Sequence, residues 1–76
     1  MTFAEKLKSL RKQASMSQEQ LAEKLGVSRQ AVTKWETDTG IPDIENIKSI
    51  SSLFDISIDE LKSLLNLLES KTDIAA

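Results

Sequence analysis

The sequence predicts an all-α fold, and three features predict it. Apolar residues recur at three- and four-residue spacing along most of the chain. At three places where an apolar-periodic stretch begins, a hydroxyl residue stands three positions before a glutamate or glutamine, a pairing that opens helices: Thr2 with Glu5, Ser17 with Gln20, and Ser57 with Glu60. No stretch alternates apolar and polar residues as a strand would. With breaks at Gly26 and across Thr37–Pro42, this pattern gives five helices.

The first helix opens at Thr2, and Phe3, Leu7, Leu10 and Ala14 share one face. The second opens at Ser17; Leu21 and Leu25 form its inner stripe, with Ala22 beside them. Gly26 follows where a left-handed cap favours glycine. Ser28 caps the third helix, with Val27 and Val32 spaced as a hydrophobic staple across its start. Asp43 caps the fourth, whose inner face is Ile44, Ile47, Ile50, Ser51 and Phe54. Ser57 opens the fifth, with Ile58 and Leu61 inward. The pattern fades over residues 70–76, which are expected to fray. The expected organisation is therefore one domain over residues 1–69 and a tail over 70–76.

Bulk properties exclude several functions. A chain of 76 residues holds one domain at most and buries only a small core. Without cysteine or histidine, disulfides and thiolate or imidazole metal sites are ruled out, so no cofactor or metal is expected. There is also no tyrosine and no glycine-rich phosphate loop, and the carboxylates are spaced as ordinary exposed helix residues; an enzyme is not expected. No apolar run is long enough to span a bilayer, and the N-terminus lacks a signal peptide's apolar stretch. The expected location is cytoplasmic, without membrane association.

The formal net charge of −2 conceals an asymmetry. Residues 1–42 carry seven basic against five acidic residues, a net +2; residues 43–76 carry three against seven, a net −4. Docking depends on the local field more than on the total. The first half therefore permits a face for nucleic acid, without establishing one.

The stretch LGVSRQAVTKWE, Leu25–Glu36, joins the second and third helices through a very short turn. Advancing about 100° per residue, Val32 and Trp35 point one way, with Ala31 and Glu36 at the margins. Gln30, Thr33, Lys34 and Thr37 point the other way, and Arg29 sits on the border. Glutamine can bond adenine bidentately, arginine or lysine can reach guanine, and a threonine methyl can touch thymine. Ser17 and Gln18 open the second helix, where unpaired backbone N–H groups favour a phosphate. Two tightly joined helices are also how a recognition helix is presented to the major groove. A solvated polar face is the plainer alternative. Trp35, the only tryptophan, is expected in the core by its spacing from Val32 rather than as a stacking platform.

The stretch SQEQLAEKLGVSRQAVTKWE, Ser17–Glu36, resembles the phage-repressor-like helix-turn-helix family, the Cro and xenobiotic-response-element class of bacterial regulators. The similarity extends from LKSLRKQASMSQ through IPDIENIKSISSLFDISIDEL, roughly residues 3–65. It implies a compact five-helix bundle that binds double-stranded DNA operators as a homodimer. It also implies that Gln18 contacts a phosphate and braces the first side chain of the recognition helix. By the same resemblance Arg29 and Gln30 read bases, Thr33 and Lys34 meet bases or phosphates, and Ser28 is the cap. Arg11 and Glu36 match a structural pair, so Glu36 would face Arg11 rather than the phosphates. The chain departs from the family at two places. Arg29 stands where several members have glutamine. The loop after the third helix, often basic, reads TDTG, so phosphate contacts would fall to Thr37, Thr39 and the start of the fourth helix.

The expected function is a transcriptional regulator, a repressor by family resemblance, with the third helix (Ser28–Thr37) in the major groove. The rival reading is an antitoxin or other protein-binding module whose fifth helix holds a toxin or another protein partner. On that helix Ile58, Leu61, Leu64, Leu65, Leu67 and Leu68 cover an arc of about 180°, wider than the roughly 100° a helix needs against its own core. Leu64, Leu67 and Leu68 are left over and are expected to form a dimer interface.

Overall fold

The computed structural model describes residues 2–65. Four helices run in order, α1 (Phe3–Gln13), α2 (Gln18–Leu25), α3 (Arg29–Glu36) and α4 (Ile44–Phe54). A fifth helical stretch, α5, occupies residues 58–65, and no strand occurs among the described residues. The expected tail over 70–76, and residues 66–69 before it, lie outside the described residues.

Local chemistry sets the helix starts. Thr2 and Ser17 close full capping boxes with Glu5 and Gln20, each side chain accepting from the other's backbone N–H. The backbone N–H of Thr2 bonds the Glu5 carboxylate and holds its pKa below the ordinary value. Ser28 Oγ accepts from Ala31 N at 3.1 Å, and Asp43 Oδ1 from Asn46 N at 3.0 Å. At α5 the box is half made. Ser57 Oγ accepts from Glu60 N at 3.0 Å, but the Glu60 carboxylate lies 3.2 Å from Lys6 Nζ, tying α5 to α1 instead.

The turn between α2 and α3 depends on Gly26, at φ 70° and ψ 33°. Gly26 N bonds Glu23 O and Val27 N bonds Ala22 O, the two bonds of a Schellman motif. This closes α2 and launches α3 two residues later. A Cβ at Gly26 would meet nothing within 4 Å, so the requirement for glycine is conformational rather than steric.

The core gathers Phe3, Leu7, Leu21, Ala22, Val32, Trp35, Ile47, Ile50, Leu61 and Leu65 from all five helices. Helix α3 packs against α1 and α2, and α2 also packs against α4. Ala22, 3% exposed, is small enough to let helices approach closely. Trp35 is 7% exposed and belongs to this core, as its spacing predicted.

Two side chains expected inside are outside. Ala14 is exposed because α1 ends at Gln13 and the chain turns away through Ser15 at φ 58°. The inner face of α1 is completed by Ala4 and Arg11 instead. Ile44 is 49% exposed because it is the first residue of α4 and lies beyond the core's edge; Pro42, just before the cap, is buried in its place. Ser51 does more than fill space. Its hydroxyl donates to the Ile56 carbonyl while Ile56 N bonds Ser51 O, clasping the turn from α4 to α5.

Candidate nucleic-acid interface

Helix α3 has an inner face fixed to the rest of the domain. Val32 is fully buried, Trp35 nearly so, and Glu36 is 5% exposed. The Glu36 carboxylate accepts from Arg11 Nε at 2.7 Å and from Arg11 Nη2 at 3.1 Å, a bidentate pair across α1 and α3. Arg11 Nη1 donates to the Met16 carbonyl at 2.8 Å, which anchors the chain entering α2. A buried acid ending a helix is costly unless it is both paired and hydrogen-bonded, and here it is both.

Gln18, the first residue of α2, joins the same network. Its Nε2 donates to Glu36 Oε1 at 3.0 Å, and its Oε1 accepts from Thr33 Oγ1 at 3.0 Å. The resemblance placed the bracing action of Gln18 on the first side chain of α3. In the structure Gln18 instead braces Thr33, one turn further along. Glu36 orients the amide, because its carboxylate can only accept and therefore faces the Gln18 NH2 group.

The outer face is different in kind. Arg29, Gln30 and Lys34 are exposed and frame a shallow depression together with Thr33. The side chains of Arg29, Gln30 and Lys34 make no hydrogen bond or ion pair among the described residues. The threonines behave otherwise. Thr33 Oγ1 also approaches Arg29 O at 3.1 Å. Thr37 Oγ1 donates to Thr33 O at 2.8 Å, and Thr39 Oγ1 approaches Lys34 O at 3.2 Å. The hydroxyls of Thr37 and Thr39 are 3.1 Å apart. Both therefore close the end of α3, a role that sequence reading did not assign to them. Ser28 and Ser17 have their hydroxyls in capping bonds to Ala31 N and Gln20 N, and the backbone N–H groups of Gln18, Glu19, Arg29 and Gln30 have no partner among the described residues.

Asp38 follows α3 at φ 62° and lines a groove separate from the depression on the outer face. Thr2, Phe3, Asp38, Gly40, Ile41, Leu64 and Leu65 line this groove of about 420 Å³, and Ile41 is 53% exposed. Leu64 is half-buried, packed against the core, while Leu67 and Leu68 lie outside the described residues. Among the described residues no His, Cys, Asp and Glu cluster suits a metal ion, and no helix is long and apolar enough to cross a membrane.

A short helix, a three-residue turn and a second helix with one locked and one unengaged face make a helix-turn-helix unit. The chain belongs to the helix-turn-helix family, whose sequence model matches residues 7–61. The HTH-type transcriptional activator BcrR of Enterococcus faecalis is 49% identical over 74 residues, covering 93% of this chain and 36% of that protein. The cryptic phage CTXphi transcriptional repressor RstR of Vibrio cholerae is 38% identical over 61 residues, covering 80% of this chain and 54% of the relative. Among solved structures, the P22 c2 repressor in complex with synthetic operator 9T superposes with a TM-score of 0.76 at 30% identity. That match covers 80% of this chain and 92% of the other. The phage-repressor resemblance thus holds in both sequence and fold. The chain spans roughly a third to a half of the length of these two curated relatives.

Proposed function

We propose that this domain binds DNA sequence-specifically as part of a transcriptional regulator, with α3 in the major groove. One observation carries the reading: Arg29, Gln30 and Lys34 project from a firmly packed helix without side-chain partners among the described residues, and these are side chains that can bond base edges and phosphates. The Arg11–Glu36–Gln18 network fixes the helix, so little ordering is needed on docking. The backbone N–H groups at the start of α2, beside Ser17 and Gln18, suit a phosphate. Thr37 and Thr39 can still accept from water or a neighbouring side chain, but their protons cap α3, so Lys34 and Arg29 are the stronger phosphate donors. The P22 c2 repressor, solved on its operator, supports the assignment by similarity. Of the two signs of regulation we favour repression, because occupying a promoter blocks it without further contacts.

The reading includes a homodimer. The groove beside Leu64 and the exposed Ile41 offer apolar surface for a second copy, and a two-fold would set two α3 helices about 34 Å apart. The test is selection of duplexes from a randomised library, followed by titration at several salt concentrations. The expected result is an enriched, two-fold-related sequence whose binding weakens steeply with salt. Absence of enrichment, or a flat salt response, would overturn the assignment and favour a protein-binding role. Sedimentation of the wild type and of Leu64→Glu tests the dimer; a wild type that stays monomeric while DNA is saturated refutes it.

A further inference from the structure

We propose that Thr33 is a specificity residue that reads a thymine methyl group, and that Gln18 is the positioning residue that makes it do so. The inference rests on α3 docking in the major groove. A threonine on a recognition helix has three ways to meet a base. Its hydroxyl can donate to an acceptor such as guanine O6 or N7, or thymine O4; its oxygen can accept from adenine N6 or cytosine N4; or its methyl can contact the C5-methyl of thymine. In this domain the first way is closed. The single hydroxyl proton of Thr33 lies between Gln18 Oε1 at 3.0 Å and Arg29 O at 3.1 Å, both within the protein.

The Gln18 amide cannot readily turn to release that proton. A flip would set its NH2 against the Thr33 hydroxyl and its oxygen against Glu36 Oε1, an acceptor facing an acceptor. Glu36 is in turn held by two bonds from Arg11. The chain Arg11–Glu36–Gln18–Thr33 therefore runs from the buried pair to the reading face and sets the direction of the last hydroxyl. With Oγ1 drawn toward Gln18 and the Arg29 carbonyl, Thr33 has no proton to give a base edge, and its methyl group is the contact assigned to it in the depression shared with Arg29, Gln30 and Lys34.

The test uses a duplex selected by the wild-type protein from a randomised library, remade with 2′-deoxyuridine replacing thymine at one position at a time. Uracil lacks only the C5-methyl. The wild type should lose about fourfold in affinity per half-site at one thymine, the worth of one methyl-sized apolar contact. Thr33→Ser keeps the hydroxyl and should be indifferent to uracil at that position. Thr33→Val keeps the methyl group and should retain the discrimination. Gln18→Ala removes one of the two acceptors that hold the Thr33 hydroxyl and should reduce the discrimination while the protein stays folded by circular dichroism. Two results would overturn the proposal: a wild type indifferent to uracil everywhere, or a Thr33→Ser variant with undiminished discrimination. Failure to select any duplex would instead overturn the DNA-binding reading on which this one stands.

Discussion

Replacing Glu36 with glutamine should destabilise the domain far more than it weakens any individual DNA contact. The Glu36 side chain is 0% exposed and its Arg11 partner 11%. The carboxylate receives three donors: Arg11 Nε, Arg11 Nη2 and Gln18 Nε2. Glutamine is almost isosteric but offers one oxygen and one NH2 group, so at least one of the three donors would face another donor. The Arg11 guanidinium would keep its charge, nearly buried, with only neutral acceptors as partners: the introduced amide oxygen and the Met16 carbonyl. Breaking a buried pair on one side costs about 3–5 kcal/mol, and residual exposure of Arg11 argues for the lower end, ~3 kcal/mol. A domain of this size has only roughly 4–11 kcal/mol in total. The melting temperature should fall by about 12–24 °C. Thermal melts by circular dichroism without DNA measure this directly. The double variant Arg11→Met with Glu36→Leu removes both charges and should recover at least half of the loss. The reasoning fails if Glu36→Gln melts within the ~4 °C that one kcal/mol moves a domain this small. It fails equally if that variant melts normally and loses only DNA affinity.

Arg29→Ala and Gln30→Ala should each cost about 1–3 kcal/mol on the selected duplex and little on random DNA, measured at one salt concentration; equal losses on both would make them phosphate contacts. Asp38→Asn removes an acid beside α3 at a left-handed position that asparagine tolerates, so DNA affinity should rise with no change in the melting curve. Unchanged affinity would place Asp38 away from the phosphates. Gly26→Ala should cost about 1–2 kcal/mol in denaturant titration, because the added Cβ strains φ 70° without clashing; no loss would mean that the turn can relax. Ser51→Ala should cost about 1 kcal/mol by the same titration and leave DNA affinity unchanged, since it cuts only the clasp to Ile56.

Much of the fold was legible because its signals are local. The capping residues Thr2, Ser17, Ser28, Asp43 and Ser57 act within four positions of themselves, and Gly26 answers a backbone requirement that only a few residues satisfy. Amphipathic spacing placed Leu7, Leu21, Val32, Trp35, Ile47, Ile50 and Leu61 inside. The misjudged positions lie at element ends. Ala14 and Ile44 continue the apolar stripes of α1 and α4, but periodicity does not say where a helix leaves the core. The second arm of the Ser57–Glu60 box depends on competition. Glu60 could bond its own helix or reach Lys6, more than fifty residues earlier, and only the packing of α5 on α1 decides.

The candidate site divides in the same way. That Gln30, Thr33 and Lys34 share an outer face with Arg29 at its border follows from helical geometry, and the structure frames one depression with all four. What each side chain can still offer does not follow from position alone. Arg29, Gln30 and Thr33 read equally as polar residues facing outward. Yet a hydroxyl has one proton, and that of Thr33 is held between a helix neighbour four residues back and an amide fifteen residues earlier. The amide is oriented by Glu36, and Glu36 by Arg11, twenty-five residues before it. Each link is a choice between donor and acceptor that the preceding link determines. The chemistry presented by the outer face of α3 is therefore fixed partly by the buried pair beneath it, so on the proposed docking a substitution at the buried Arg11 should alter which bases Thr33 prefers as well as how stably the domain folds.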